Sequence, residues 1–166
     1  MLTTPGKPFI YQGEELGYYG TKAGGDEYVR GPIMWDKAGN DCAKKGVNNK
    51  VNSSMLTSSI SVEAQTADSG SLLNVYKTFS KLRNTYPALA DGVMTNAGLS
   101  GTSIASWYMT SSDGQKLLVI HNVSGTSKTT SVSDDMSKPI ALLGTASYEG
   151  SNLTLGANSS VVFQLK

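Results

Sequence analysis

This 166-residue chain is poorest in the residues that build cross-links and metal sites. It has one cysteine, Cys42, so no intrachain disulfide can form; with no His near it in sequence, the thiol reads as inert. It has one histidine, His121, at the end of an apolar run. A metal centre needs several such ligands, so a packed or surface ring is expected there. Neither sign of charge is in excess, with 14 Lys and Arg against 13 Asp and Glu. That balance removes the usual attraction to nucleic acid or to an anionic membrane. No apolar run approaches the roughly 18 residues of a membrane helix. Met1-Leu2 is followed by neither a basic nor an apolar region, so no signal peptide is visible. Phosphate-binding loops, dinucleotide fingerprints and zinc spacings are missing too. Asp134-Asp135 reads as a turn, because calcium needs more clustered oxygen ligands than the sequence shows. No cofactor is therefore expected in this segment.

Glycine, by contrast, is plentiful, at 18 residues, and favours turns and loops. The Asn-x-Ser/Thr triplets at Asn52, Asn122, Asn152 and Asn158 read as chance matches in so Ser- and Asn-rich a chain. Near the start, Pro8 has no N–H to donate and suits the first position of a strand. Phe9-Ile10-Tyr11 is short, apolar and β-prone, as in a strand buried on both faces. Gly13 and Gly17 allow a sharp exit. From Tyr18 to Ser61 no period is sustained, and Val29, Ile33, Met34 and Trp35 are isolated apolar anchors. Long irregular stretches of this kind are usually functional or mobile.

Helical spacing then takes over: Leu72, Leu73, Val75, Tyr76, Phe79, Leu82, Arg83 and Tyr86 share a face. Asp68, Ser69 or Ser71 can cap the start, and Pro87 stops the helix. From Gly92 onward short β-prone runs alternate with turn signals. Strands are expected near residues 93–95, 103–110, 116–122, 129–132, 141–144, 153–155 and 160–165, with a hairpin turn at Ser112-Asp113-Gly114. Leu117 and Val119 alternate with Leu118 and Ile120, so this strand should be buried on both sides. The pattern predicts an antiparallel sandwich, one small enough to need the helix as a cover.

The order of motifs carries a resemblance. Gly6-x-Pro8-x-x-Tyr11-x-Gly13-x-Glu15 resembles the eighth-barrel-strand motif of the α-amylase family of glycoside hydrolases. Arg30-Gly-Pro-Ile-Met-Trp35-Asp36 is similar to a segment of the family's oligo-glucosidase and neopullulanase-like members. Ser61-Val-Glu-Ala-Gln65, Ser71-Leu-Leu-Asn-Val-Tyr76 and Leu82-Arg83 continue in the family's order. The resemblance implies a mainly β chain in two parts. Residues 1–91 would be the remnant of a (β/α)8 barrel, with strand 8, a substrate-side loop and the last helix. Residues 92–166 would be a C-terminal antiparallel Greek-key β-sandwich. The parent would be a retaining hydrolase of α-glucans such as starch and maltooligosaccharides, and secreted, periplasmic and cell-surface locations are all compatible with it. Calcium, common in the family, would bind outside this segment.

Several residues could carry chemistry. Glu14-Glu15 suggests a glycosidase carboxylate pair, but neighbours on an extended chain point to opposite sides. Structural hydrogen bonds are therefore expected of them. The resemblance places the three catalytic acids on barrel strands upstream of Met1, so no residue here is assigned a catalytic role. It makes Asp26 and Arg30 glucose-binding residues, against the plain alternative of a surface ion pair. Trp35 is a candidate for stacking on a sugar, or an apolar anchor beside Pro32 and Met34. The implied partners are the α-glucan and the rest of the barrel, together with a second copy that could pair through the orphaned strand. The alternative is an independent carbohydrate-binding or purely structural sandwich module, for which Trp107 would be the best stacking platform.

Overall fold

The computed structural model describes residues 1–39 and 57–166. Cys42 and the Asn52 triplet lie outside the described residues. The chain forms two compact units, Phe9–Lys77, and Met1–Pro8 together with Thr78–Lys166.

The second of these is built on strands β1 (Val93–Asn96), β2 (Ile104–Thr110), β3 (Lys116–Asn122), β4 (Lys128–Ser131), β5 (Pro139–Leu143), β6 (Ala146–Glu149), β7 (Asn152–Leu155) and β8 (Ser160–Gln164). They make a five-stranded sheet in the order β1-β2-β3-β8-β5 and a three-stranded sheet in the order β4-β7-β6, antiparallel throughout. The central strand β3 is buried on both faces, with Leu117, Leu118, Val119 and Ile120 fully covered. Its even-numbered face, Leu118 and Ile120, meets Leu153, Leu155, Val132 and Phe163 in the core of the sandwich. Its odd-numbered face is covered differently. Helix α3 (Pro87–Asp91) buries Ala88 and Leu89, and the Ala88 N–H donates to Gln115 Oε1 at 3.1 Å. Gly92 makes this approach possible, because a Cβ there would sit 2.1 Å from the Ala88 carbonyl oxygen and 2.9 Å from that of Thr110.

The first residues of the chain lie on the same odd face. Trp107 Nε1 donates to the Thr3 carbonyl at 2.9 Å, and Thr3 Oγ1 lies 3.2 Å from His121 Nε2. His121 Nδ1 meets Ser160 Oγ, and its ring lies against Trp107 with centroids 5.0 Å apart. Arg83, only 6% exposed, completes the clasp. Nη1 donates to the carbonyls of Leu2 at 3.3 Å and Thr4 at 2.9 Å; Nη2 donates to those of Gly6 and, at 3.1 Å, Ala90. The planar five-donor fork of arginine suits this convergence.

Helix α2 (Leu72–Thr85) runs where its spacing predicts, with the Ser71 hydroxyl accepting from the Asn74 N–H at 3.2 Å as its cap. One expectation needs correction. Leu72 is 42% exposed, while Leu73, Phe79, Leu82 and Arg83 are buried; the inward stripe is rotated toward Leu73 because the first turn is anchored through the Leu73 N–H to Gln65. Pro87 ends α2 but also starts α3, at whose first turn its missing N–H costs nothing. Strand β6 is an element that the sequence reading did not contain.

In the Phe9–Lys77 unit, Phe9-Ile10-Tyr11 is not a buried strand. The stretch carries no sheet pairing, and Phe9 is 88% exposed. A strand exists only through its neighbours, and among the described residues no strand lies beside it. The backbone turns at Gly13, in the left-handed region at φ 94°, with the Tyr18 ring only 2.7 Å from where a Cβ would be. The rest consists of 3-10 turns at Glu14–Leu16, Lys22–Gly24, Asp26–Val29 and Ser58–Ile60, then helix α1 (Val62–Ala67). Gln65 is buried; it donates to the Leu16 carbonyl at 2.8 Å and accepts from the Leu73 N–H at 2.9 Å, which ties the turn after Gly13 to α1 and α2.

The buried His121 makes stability depend on pH. Burial pushes its pKa down to about 4. The folded ring resists a proton that the unfolded ring accepts near 6.5, so this contribution is complete above pH 6.5 and declines as pH falls toward 4. Asp135 titrates in a separate, lower window; hydrogen bonds from Ser137, then Lys166, hold its carboxyl at about 2. The urea midpoint should therefore drop between pH 6.5 and 4, and His121→Asn should flatten that drop while leaving the loss below pH 4. An unchanged slope in the variant would show that other groups set it.

Candidate functional site

Segment 18–37 is held by hydrogen bonds to its backbone. The Tyr18 hydroxyl donates to the Pro32 carbonyl at 2.9 Å and accepts from the Met34 N–H at 2.8 Å. Helix α1 contributes its unsatisfied first N–H groups: Val62 donates to the Met34 carbonyl and Glu63 to that of Trp35, each at 2.9 Å. Ser61 caps the same helix, accepting from the Ala64 N–H at 3.1 Å. The Glu63 carboxylate takes the Lys37 N–H at 2.8 Å. These bonds bury Met34 and turn its neighbour outward, so Trp35 is 56% exposed. The apolar-anchor alternative for Trp35 is thereby corrected: Met34 anchors the segment, and the indole faces solvent.

Asp26 and Arg30 do converge, and they converge on each other. Arg30 Nη2 lies 3.1 Å from Asp26 Oδ2. A third residue joins them, for Lys22 Nζ lies 3.0 Å from Asp26 Oδ1. The sequence reading missed Lys22, although its signal was there: Lys22, Asp26 and Arg30 are spaced four apart, which stacks side chains along one face of helical turns. All three are largely exposed, so each pair contributes only about 0–1 kcal/mol to stability. Trp35 is not part of this ion-pair cluster. The arrangement presents cationic donors, a carboxylate acceptor and a bare indole face, which are groups suited to a neutral, hydroxyl-rich molecule.

Glu14 and Glu15 are engaged elsewhere. Glu14 Oε2 accepts from the Tyr11 N–H at 3.1 Å and Glu15 Oε2 from the Gly13 N–H at 3.0 Å. Together with burial, their charge raises the pKa of Tyr76. Both carboxylates thus shape the Gly13 turn. Among the described residues no group of three or more His, Cys, Asp or Glu side chains is placed to hold a metal ion. No helix among them is long and apolar enough to cross a membrane. Trp107, the platform required by a free-standing sugar-binding module, has its N–H and ring occupied by Thr3 and His121.

Comparison with known proteins accounts for both parts of the chain. Residues 1–92 match the family described as the α-amylase catalytic domain, and residues 104–162 match the α-amylase SusG C-terminal domain. The chain is 42% identical to α-amylase SusG of Bacteroides thetaiotaomicron, over 99% of its own length and 25% of that protein. It is 29% identical to α-amylase 3 of Dictyoglomus thermophilum, over 99% of itself and 32% of that enzyme. Its fold is similar to Amy13B of Eubacterium rectale with a TM-score of 0.77 at 24% identity, covering 99% of this chain and 32% of that one. The chain thus spans a quarter to a third of the length of these relatives. It belongs to the α-amylase family of glycoside hydrolases, of which it represents a C-terminal part.

Proposed function

We propose that this chain is the C-terminal part of an enzyme that hydrolyses α-glucans such as starch and maltooligosaccharides, and that its role there is to complete the barrel and hold one rim of the active site. The carrying observation is a match to an α-amylase that runs through 99% of the chain while covering only 25% of that enzyme. In this reading residues 1–91 belong to the barrel and residues 92–166 form the sandwich that supports it. Asp26 and Arg30 bind one glucose unit at the rim, with Trp35 alongside. The ion pair between them is exposed, so exchanging part of it for sugar hydroxyls costs little. Lys22 holds the Asp26 carboxylate in place while Arg30 turns to the sugar.

Three outcomes test this. The isolated chain should release no reducing sugar from starch, maltooligosaccharides or pullulan, because glycoside hydrolysis needs two placed carboxylates and Glu14 and Glu15 are bound to backbone. Release above a heat-killed control would overturn the assignment. In the full-length enzyme, Asp26→Ala and Arg30→Ala should each lower kcat/KM on maltooligosaccharides by about tenfold or more, as expected for losing a charged hydrogen bond; wild-type values in both would leave only a surface ion pair. The isolated chain should also self-associate through Phe9–Tyr11, whose apolar side chains are exposed and whose backbone pairs with no strand. A strict monomer by light scattering would remove that partner.

A further inference from the structure

Met34 and Trp35 compete for one inward position, and methionine holds it. A tryptophan is the larger apolar body, so the hydrophobic effect alone would turn the indole in. Instead Met34 is 4% exposed and Trp35 56%. The backbone bonds around them fix that choice. The Tyr18 hydroxyl accepts from the Met34 N–H and donates to the Pro32 carbonyl. Glu63 acts on both sides of Trp35: its N–H donates to the Trp35 carbonyl, and its carboxylate accepts from the Lys37 N–H. A slip of one residue would carry Trp35 into the place of Met34 and break every one of these bonds. All the groups involved lie within the Phe9–Lys77 unit.

We propose that Tyr18 and Glu63 are positioning residues for glucan binding, holding the backbone of residues 32–37 in the one register that leaves the Trp35 indole outward as a platform for a sugar ring. This rests on the functional reading above, in which Trp35 lies alongside the bound glucose, and names what keeps it there. Neither positioning residue is asked to touch the sugar. The Tyr18 ring lies 2.7 Å from where a Cβ on Gly13 would be, so a phenylalanine keeps that seat and loses only the hydroxyl. Glutamine at position 63 keeps an acceptor for the Lys37 N–H and loses only the charge.

The test uses the full-length enzyme carrying Tyr18→Phe, Glu63→Ala, Glu63→Gln or Trp35→Ala, assayed well below each variant's thermal midpoint. Tyr18→Phe and Glu63→Ala should each raise KM for maltooligosaccharides by about two- to tenfold, the span of one lost hydrogen bond, with kcat within about twofold. Glu63→Gln should keep wild-type KM. In the Trp35→Ala background, adding Tyr18→Phe or Glu63→Ala should move KM by less than about twofold, because residues that act through one another are not additive. Additive losses would overturn the proposal. So would wild-type KM in Tyr18→Phe and Glu63→Ala beside a raised KM in Trp35→Ala, which keeps the sugar contact of Trp35 and reduces the other two residues to stability. A Glu63→Gln enzyme as impaired as Glu63→Ala would overturn it as well, by assigning the effect to charge. Wild-type KM in Trp35→Ala sinks the functional reading of Trp35 itself, and the proposal with it. If Tyr18→Phe does not fold, the two Glu63 variants decide by the same readouts.

Discussion

A guanidinium that cannot give up its proton has to be surrounded by acceptors when it is buried. Arg83 meets that demand with carbonyls from Leu2, Thr4, Gly6 and Ala90. The consequence is geometric. The chain start must lie along the end of α2, α3 must begin promptly after it to bring Ala90 round, and the Thr3 carbonyl is then presented to Trp107. The outer face of β3 is thereby closed by polar bonds to backbone as well as by apolar packing from Ala88 and Leu89. Hydrogen bonds to a charged group contribute about 1.5–3 kcal/mol each, so this one side chain organises the layer that the sheet could not cover by itself.

The second unit relies on the same device in neutral form. Gln65 offers one donor and one acceptor in a buried position and uses them on Leu16 and Leu73. Tyr18 likewise donates and accepts with one hydroxyl. Irregular backbone between Tyr18 and Asp36 would otherwise leave polar groups to water; captured in this way, it can expose Lys22, Asp26, Arg30 and Trp35 while its own course is fixed.

How much of this was readable without coordinates depended on how local each signal was. Helix α2 and seven of the strands followed from period and turn residues. Strand β6 did not: Ala146-Ser147-Tyr148-Glu149 alternates, with Ala146 against the core and Tyr148 edge-on to Phe163, but over only four residues, too short a run to stand out by its period. The exposure of Phe9 was also illegible, since β-propensity reports fitness for a sheet and says nothing of whether neighbours are in the chain. Trp35 and Met34 were interchangeable on composition; which of them turns inward is decided by the N–H groups of α1. The ion pair of Asp26 with Arg30 is legible in their spacing of four, which extends back to Lys22. Of the clasp only Arg83 left a sequence trace, on the shared face of α2; its partners did not, because Thr3 and Trp107 are 104 residues apart.

That separation has a bearing on how the chain is made. Thr3 and His121 are 118 residues apart, and a ribosome adding about 5–20 residues per second needs roughly 6–24 s to travel between them. Throughout that interval the nascent segment before Phe9 has no His121 to meet, and for most of it no Trp107 either; β3, once made, still lacks β8 on one edge until Ser160–Gln164 emerges. Assembly of the outer layer is thus a late event, ordered by synthesis: the first residues of this segment are among the last to find their place.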